Sequence, residues 1–564
     1  MDVYPSVYPS WPNLPTMMFA RAREWGERPM LRHHAEGTWH TTSWAQFARK
    51  AASLARGLRA AGVSPGDRVL LVSESRPEVP IVETALMAIR AVPVLGYVVN
   101  TEADHAHLLR DSGARVAIAS TLALARKLVA AGELAHGLDR LFCMEPGPHP
   151  LLGPLLDDPA SPDDIAAEAE QIGRGALACL IYTSGTSGPP RGVMLPHGAM
   201  LANCEGAFEL VRPLKLDHEV YLSFLPLSHS FEHTVGQFFL LSIGTEIVYA
   251  RGIEHLAADL ATIQPTILAL VPRILDSIRT RILTALKRET PFRQAMFARA
   301  LAAGLRRLDG QSTLLDRLAN PVFDRLVRRK IRQRLGSRFR VGISGGARLD
   351  PEIGRFFLAM GIMVIQGYGQ TEAGPVISAN PPLRPKIHTV GKPLEGVELR
   401  LAEDGEIMVR GELVMDGYWG QPAATAAAIV DGWLHTGDIG TLDADGYLEI
   451  VDRKKDIIVL SGGENVSPAQ VEGALVGEPE IAQAVVYGDG ESGLSALIVA
   501  AEGASAEEVA RAVGRVGARL TTTERVRRHR IVPAFTVENG LLTASHKIKR
   551  GLVVKTYRVT APNE

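Results

Sequence analysis

The stretch from Tyr182 to Gly192 constrains this chain more than any other part of it. Seven of its eleven residues are Gly, Ser or Thr, and it follows an apolar run over 176–181 that is typical of a buried strand. Gly185 and Gly188 can adopt backbone angles that other residues avoid, so main-chain N–H groups can turn toward an anion. Because Arg191 adds a fixed positive charge, the stretch predicts a phosphate-binding loop at the end of a strand.

Two alternatives exist for this loop. The nucleoside-triphosphatase loop has the pattern G-x-x-x-x-G-K-[ST], and no Gly-Lys-Ser/Thr follows Gly185 or Gly188 at that spacing. A flexible polar linker is the other alternative, because Gly/Ser/Thr tracts are common in loops. The sequence of the loop alone does not exclude the flexible linker.

Length and composition limit the class of protein. A chain of 564 residues is too long for one hydrophobic core, so we expect two to four domains. Hydrophobic residues make up 46% and charged residues 22%, with a formal net charge of −1, as is typical of a soluble globular protein. This balance offers no basic excess for nucleic acid, and we predict no nucleic-acid partner.

No stretch has the pattern of a membrane-directed segment. Residues 1–15 lack the basic region and apolar core of a signal peptide, and no apolar run reaches about 18 residues. The three cysteines, Cys143, Cys179 and Cys204, are scattered and lack the spacing of a zinc site. We therefore expect a cytoplasmic protein with buried, reduced thiols.

Strands and helices alternate in the first 120 residues. Ser43 and Gln46 predict a capping box that opens a helix ending at Gly62. Beyond it, strands predicted over 67–73, 92–98 and 114–119 alternate with helices over 79–90 and 102–111. The alternation predicts an α/β fold with a parallel, doubly wound sheet. Ligands of such sheets bind outside the carboxyl ends of the strands, where the 182–192 loop falls.

The carboxyl-terminal third has a different pattern. Past residue 395, short strands separated by turns predict a small β-barrel-like part. After residue 460, Ser467 before Pro468 and Ser505 before Glu508 mark helices of a compact α+β segment. The charged run over 452–456 is a natural domain boundary, because few buried contacts would cross it.

Together with further stretches in a single order along the chain, the loop resembles the signature of the adenylate-forming superfamily. This superfamily includes acyl-CoA synthetases, peptide-synthetase adenylation domains and firefly luciferase. The loop has Ser187 and Arg191 where the signature has Thr and Lys, which keeps the hydroxyl and the charge. The other stretches are Leu225–Glu232, Ser344–Asp350, Gly367–Glu372, Trp433–Asp438, Val451–Asp456, Ser461–Pro468 and Leu541–Arg550.

The resemblance implies a nucleotide site. Tyr368 would lie against adenine, Thr371 would contact the α-phosphate, and the hard carboxylate oxygen of Glu372 would bind Mg²⁺. Asp438 and Arg453 would contact the ribose. The rest of the implied ATP/AMP-binding set is Thr183, Ser184, Gly185, Thr186, Ser187, Gly188, Gly346, Ala347 and Gly369, with Thr186 as a second, weaker metal contact.

The resemblance also implies the catalytic machinery. Lys547 corresponds to the adenylation lysine and completes a catalytic set with Thr371, Glu372 and Arg191. Lys455 would be the pivot between an N-terminal AMP-binding domain over 1–452, a hinge over 453–456 and a small mobile α+β lid domain over 457–564. The acyl and coenzyme A channel would be lined by His229, Gly462 and Gly463.

The implied reaction is ATP-dependent activation of a carboxylic acid. Residues 539–543 resemble the long-chain fatty acid branch, so the expected products are acyl-CoA, AMP and pyrophosphate, with Mg²⁺ as cofactor and ATP and coenzyme A as co-substrates. Alternatives within the class are an aryl or medium-chain acid, a carrier-protein acceptor or a nonthiol nucleophile. Outside it, the chain could be an inactive binder of nucleotide and lipid. A homodimer is left open.

The segment from 273 to 340 is helical in pattern and strongly basic. It carries eighteen Lys or Arg residues against five Asp or Glu. One interpretation is a solvated helical face; the other is a surface attracted to anionic lipid or to the phosphates of coenzyme A. The second would place the protein peripherally at the inner face of a membrane.

Overall fold

The structure is a computed structural model that describes residues 7–157, 160–183, 189–543 and 547–558. Residues 184–188 of the predicted phosphate loop therefore lie outside the described residues. The α-helices are α1 Leu14–Trp25, α2 Trp44–Ala60, α3 Glu78–Ala88, α4 Glu102–Ser112, α5 Leu122–Leu134, α6 Asp163–Ala169, α7 His197–Val211, α8 Leu240–Ser242, α9 Leu256–Ile263, α10 Pro272–Leu286, α11 Pro291–Leu308, α12 Leu314–Phe323, α13 Arg329–Leu335, α14 Pro351–Ala359, α15 Pro422–Ala428, α16 Pro468–Val476, α17 Ala506–Arg519 and α18 Arg550–Arg558. Two π-helical segments cover Phe231–Phe239 and Asp324–Arg328.

The strands form three larger sheets and two small ones. They are β1 Pro29–Ala35, β2 Thr38–Ser43, β3 Arg68–Val72, β4 Val92–Gly96, β5 Val116–Ala119, β6 Arg140–Cys143, β7 Leu177–Thr183, β8 Arg191–Pro196, β9 Val220–Ser223, β10 Glu246–Tyr249, β11 Ile267–Ala269, β12 Val341–Ser344, β13 Met363–Gly369, β14 Val376–Ala379, β15 Lys392–Pro393, β16 Glu398–Leu401, β17 Glu406–Arg410, β18 Gly417–Tyr418, β19 Ile429–Val430, β20 Trp433–Leu442, β21 Leu448–Arg453, β22 Ile458–Val459, β23 Asn465–Val466, β24 Ile481–Tyr487, β25 Leu494–Ala500 and β26 Val526–Ile531.

Two large sheets confirm the predicted α/β fold. The first has the order β18-β8-β7-β4-β3-β5-β6, and its five strands from β7 to β6 run parallel. The second has the order β15-β14-β13-β12-β11-β9-β10-β1-β2, with parallel pairing from β13 to β1. The largest hydrophobic cluster draws residues from both sheets and from α1, α2, α3 and α7, so these sheets share one core.

A local signal placed α2 correctly, whereas α1 was not predicted from the sequence. In α2 the Gln46 backbone N–H donates to Ser43 Oγ at 3.1 Å, and the Ser43 N–H donates back to Gln46 Oε1 at 2.9 Å. This is the capping box that the sequence predicted, and it satisfies two backbone donors that the first turn would leave unpaired.

The later chain forms a five-stranded antiparallel sheet and a smaller α+β region. The order β16-β17-β20-β19, with β21 against β20, occupies the part predicted as β-barrel-like. The smaller region contains the three-stranded sheet β24-β25-β26 and two hydrophobic clusters. Residues of α17 belong to the first cluster, and Phe535 and Val553 belong to the second. Both clusters draw only on residues beyond 457; the hinge over 453–456 itself stays a prediction.

The structure also shows the state of the cysteines, the character of the helices and two further helix caps. Cys143, Cys179 and Cys204 are buried and free of disulfides. Within the described ranges, every helix is too short or too polar to cross a bilayer. The predicted caps at Ser467 and Ser505 are also present, because each side chain accepts a backbone N–H from the third residue after it.

Candidate active site

A cavity of about 750 Å³ opens where the carboxyl ends of β7, β12 and β13 meet β20 and β21. Side chains from both large sheets and from the smaller α+β region line it, including Thr183 at the end of β7 and Lys547 near the carboxyl terminus. Such a position, outside the carboxyl ends of parallel strands, is where α/β folds bind ligands. The cavity is the candidate active site.

Tyr368 and Asp438 form one wall of this cavity. The Tyr368 hydroxyl donates to Asp438 Oδ2 at 2.7 Å, although the two residues are 70 positions apart. Asp438 lies opposite Arg453 in the antiparallel register of β20 and β21, with Arg453 Nε 3.7 Å from Asp438 Oδ1. Burial raises the pKa of Asp438, while the Tyr368 hydrogen bond and the Arg453 charge oppose that rise. An aromatic face beside a paired-oxygen acceptor suits a nucleoside.

Glu372 lies in a short 3₁₀ turn directly after β13. The Tyr418 hydroxyl donates to Glu372 Oε1 at 2.9 Å, and the Arg191 guanidinium lies 5.2 Å from the centre of the Tyr418 ring. Next to Glu372, the Thr371 hydroxyl is 2.9 Å from the Ser230 hydroxyl. These contacts hold a carboxylate, a hydroxyl and a guanidinium at one end of the cavity.

Lys547 brings an ammonium group into the cavity from the far end of the chain. Its backbone is tied down by a pair of bonds: the Lys547 N–H donates to Thr543 Oγ1 at 3.0 Å, and the Thr543 N–H donates to the Lys547 carbonyl at 2.8 Å. Burial lowers the pKa of Lys547, and the charge of Arg453 lowers it further, while Asp438 and Glu372 act in the opposite direction. Lys547 therefore shares one electrostatic environment with all three side chains.

The polar end of the cavity has an excess of positive charge. The described lining residues include five cationic side chains and two carboxylates; the cations are Arg191, Arg453, Lys454, Lys455 and Lys547, and the carboxylates are Glu372 and Asp438. Lys454 forms ion pairs with two carboxylates that do not line the cavity, Asp404 at 2.6 Å and Glu406 at 2.9 Å. Concentrated positive charge in a partly enclosed site favours a polyanion.

The other end of the cavity is apolar. Its lining includes Ala207, Leu210 and Val211 on α7, and Val235 and Phe239 on the π-helical segment. This surface can hold a hydrocarbon group next to the charged end.

A buried polar cluster outside the cavity holds the π-helical segment over 231–239 in place. Glu83 on α3 accepts hydrogen bonds from His233 Nε2 at 2.5 Å and from Gln237 Nε2 at 2.7 Å, and all three residues are fully buried. Because His233 and Gln237 lie four residues apart, one carboxylate holds the same face of the segment at two points. The apolar wall is thereby positioned from outside the cavity.

His229 also lines the cavity, just before the π-helical segment in sequence. Its Nδ1 accepts the backbone N–H of Phe231 at 3.2 Å. Burial lowers the pKa of His229 to about 4, and the charge of Lys547 adds to this effect. The ring is therefore neutral at physiological pH, which favours a lining role over that of a general base.

The structure brings most of the predicted site residues together and leaves a few apart. Twelve line the cavity: Thr183, Arg191, His229, Gly346, Tyr368, Gly369, Thr371, Glu372, Asp438, Arg453, Lys455 and Lys547. Ser184, Gly185, Thr186, Ser187 and Gly188 lie outside the described residues. Ala347, Gly462 and Gly463 are exposed and are not among the lining residues; the last two were expected at a coenzyme A channel only after a domain rotation, which stays a prediction.

Several lining residues were missed by sequence reasoning. Tyr418, Gln421, Ser230 and Tyr97 all contribute to the cavity wall. Tyr418 lies on a two-residue strand, too short for any hydrophobic periodicity to reveal it. Ser230 lies inside the Leu225–Glu232 stretch, and its neighbour His229, which that motif does identify, was the one signal that could have led to it.

The donor groups present suit one kind of metal ion. No cluster of three or more His, Cys, Asp or Glu side chains that could hold a metal occurs in the described part of the chain. Glu372 supplies a single carboxylate in a cavity that is also lined by cationic side chains. That set fits Mg²⁺, which usually takes one or two protein carboxylates and draws its other ligands from substrate phosphates and water.

The chain matches two protein families along its length. Residues 18–419 match the family described as AMP-binding enzyme, and residues 455–560 match the AMP-binding enzyme C-terminal domain. Over 588 aligned positions the chain is 34% identical to long-chain-fatty-acid–CoA ligase FadD15 of Mycobacterium bovis, an alignment that covers 97% of this chain and 96% of the relative.

Solved structures share the fold. An anthranilate CoA ligase, AuaEII, in complex with anthranoyl-AMP superposes with a TM-score of 0.75 at 22% identity, covering 97% of this chain and 98% of that one. The O-succinylbenzoate coenzyme A synthetase MenE from Bacillus subtilis, in complex with ATP and magnesium ion, gives 0.72 at 22% identity, covering 95% and 98%. At 22% identity, these two comparisons show a shared fold and no more.

Proposed function

The chain belongs to the AMP-binding enzyme family, and from that membership we propose that it activates a long-chain fatty acid with ATP and transfers the acyl group to coenzyme A. One observation carries the proposal: Lys547 from the carboxyl-terminal region lines the same cavity as Glu372 and Asp438 of the amino-terminal region. An adenylating site needs that convergence of a cation with a nucleotide-binding wall.

The first half-reaction forms acyl-AMP. A carboxylate oxygen of the acid attacks the α-phosphorus of ATP, a new oxygen–phosphorus bond forms, and pyrophosphate leaves with the electrons of the broken bond. Because this step brings an anion toward a polyanion, preorganised positive charge lowers its barrier. Lys547 would bridge the carboxylate and the α-phosphate, Arg191 would hold phosphate oxygens, and the Thr371 hydroxyl would contact the α-phosphate.

Nucleotide binding would use the wall that Tyr368 and Asp438 form. The Tyr368 ring would lie against adenine, and Asp438 with Arg453 would contact the ribose hydroxyls. Glu372, with Thr186, would hold Mg²⁺, and the bound ion would neutralise phosphate charge. Residues 184–188 would surround the phosphates.

The second half-reaction needs a path for coenzyme A. Its thiol sulfur attacks the acyl carbon, a thioester forms, the thiol proton is released to solvent, and AMP leaves with the electrons of the acyl–oxygen bond. Since Lys547 occupies the cavity here, we propose that a lid domain over 457–564 turns about Lys455 to withdraw it and to bring Gly462 and Gly463 to the coenzyme A channel.

The apolar end of the cavity supports a fatty acid as substrate. Its lining by Ala207, Leu210, Val211, Val235 and Phe239 places no charge where an acyl chain would lie. The M. bovis relative, named as a long-chain-fatty-acid ligase, aligns over nearly all of this chain, whereas the aryl-acid ligases resemble it in fold.

A panel of carboxylic acids tests the proposal directly. Purified protein with ATP, Mg²⁺ and coenzyme A is assayed for AMP release with palmitate, hexanoate, benzoate and anthranilate. We expect the highest kcat/KM with palmitate, and AMP release that depends on coenzyme A. Preference for benzoate or anthranilate would reassign the enzyme to aryl acids, and release of AMP with a carrier protein in place of coenzyme A would reassign the acceptor.

A further inference from the structure

One helical run carries an apolar stripe on its solvent face. The run extends without a break from α12 through the π-helical segment to α13, over residues 314–335. Four side chains at four-residue intervals are exposed: Leu314 at 73%, Leu318 at 70%, Val322 at 50% and Leu326 at 45%. Leu315, beside them, is 78% exposed. These five residues are called the leucine stripe.

Packing of the fold does not account for the leucine stripe. The same run already buries an apolar face through Val327, Ile331 and Leu335, which belong to a hydrophobic cluster with Phe297 of α11. Five of the nineteen large exposed apolar side chains among the described residues fall in the thirteen residues of the stripe. Scattered single exposures are ordinary, whereas a contiguous apolar patch marks an interaction surface.

The charges around the leucine stripe are positive. Arg317, Arg325 and Arg329 are exposed on the same run, and within the described part of the chain none of them has a carboxylate in salt-bridge range. On the inner side, by contrast, Arg306 pairs with Asp316 and Arg332 pairs with Asp324. The arginines near the stripe are thus available to an external anion.

We infer that the leucine stripe docks on the surface of an anionic lipid bilayer, with the helix lying in the plane of the interface. Helices with an apolar face and flanking Lys or Arg bind in this way, because apolar side chains enter the headgroup boundary and the cations contact lipid phosphates. This docking goes beyond the proposed function, which supplies its purpose: long acyl chains partition into bilayers, so a docked enzyme meets its substrate there.

Vesicle co-sedimentation tests the inference without any catalytic step. The full chain is spun with phosphatidylcholine vesicles and with vesicles that also contain phosphatidylglycerol, at low and high salt. We expect strong binding to the anionic vesicles, weaker binding to the neutral ones and a loss of binding as salt rises. Absence of binding to anionic vesicles would overturn the inference.

Two sets of variants locate the surface. Leu314→Ser/Leu318→Ser/Val322→Ser should lower the partition coefficient at least tenfold, while the control Ile253→Ser/Leu383→Ser, which alters residues equally exposed elsewhere at 67% each, should not. Arg317→Gln/Arg325→Gln/Arg329→Gln should lower binding to anionic vesicles about a hundredfold, roughly fivefold for each charge. The matched control is Arg49→Gln/Arg126→Gln/Arg511→Gln, three exposed arginines on other helices.

Self-association is the competing outcome. Analytical ultracentrifugation of the wild-type chain and the serine variant separates the two: we expect the same mass for both. A wild-type dimer that the serine variant dissociates would assign the stripe to a second copy and overturn the bilayer assignment. AMP release from palmitate supplied on albumin should be unchanged in the serine variant, so that loss of vesicle binding is distinguishable from failure of the proposed function.

Discussion

The Tyr418 hydroxyl donates a hydrogen bond to Glu372 Oε1 at 2.9 Å. Burial raises the pKa of Tyr418, and the neighbouring Glu372 carboxylate raises it further, so the phenol stays protonated and can only donate to that carboxylate at neutral pH. The Arg191 guanidinium lies over the Tyr418 ring at 5.2 Å. Tyr418 thus orients the carboxylate proposed to bind Mg²⁺ and packs against the cation proposed to hold phosphate.

Tyr418→Phe should weaken the use of Mg²⁺ while leaving the fold intact. Hydrogen bonds to charged groups contribute about 1.5–3 kcal/mol, so the Mg²⁺ concentration for half-maximal AMP release should rise roughly tenfold or more. Tyr447→Phe is the control, because its hydroxyl donates to the Arg384 carbonyl and does not line the cavity. An unchanged Mg²⁺ requirement in Tyr418→Phe would refute this role.

Local signals predicted the fold better than they predicted the cavity wall. The capping boxes at Ser43 and Ser505 were readable because a cap depends on residues three positions apart. The parallel pairing of β1 with β10, across more than 200 residues, has no local signal. Tyr418 reaches the cavity through such a distant pairing, of β18 with β8, and so motif matching alone missed it.

Ala207→Trp should shorten the acid that the enzyme accepts. Ala207 lines the apolar end of the cavity on α7, and an indole there would occupy space needed by the distal part of a long chain. We expect kcat/KM for palmitate to fall at least about tenfold, with hexanoate little affected. Ala207→Ser, which adds one oxygen atom, is the control. Equal losses for both acids would place the acyl chain elsewhere.

Lys455→Pro should separate the two half-reactions. Proline restricts the backbone of the proposed hinge, and with Lys547 already in the cavity the thioester-forming step should suffer most. We expect the rate of acyl transfer to coenzyme A to fall far more than the rate of acyl-AMP formation, as measured by single-turnover assays of each. Lys455→Ala removes the side chain and leaves the backbone free. Proportionate losses in the proline variant would argue against a pivot there.

His105→Leu should make the protein less sensitive to acid. Burial lowers the pKa of His105 to about 4, and neither ring nitrogen has a hydrogen-bond partner among the described residues. The unfolded chain takes up a proton below about pH 6.5 and the folded chain does not until about pH 4, so stability falls as pH falls between these values. The loss of unfolding free energy between pH 7.5 and 5 should shrink by about 2 kcal/mol in the variant. His218→Leu, at an exposed site, is the control; equal pH dependence in both variants would contradict the assignment.

Lys547→Ala should separate adenylation from acyl transfer when each half-reaction is assayed by itself, with Lys549→Ala as the control outside the cavity. Removing one preorganised charged group commonly lowers a rate by about a hundred- to a thousandfold. We predict that acid-dependent pyrophosphate exchange falls by at least that factor in Lys547→Ala, while supplied acyl-AMP still reacts with coenzyme A at close to the wild-type rate. Equal loss of both half-reactions in a folded variant, or undiminished pyrophosphate exchange, would contradict the convergence of Lys547 on the nucleotide site.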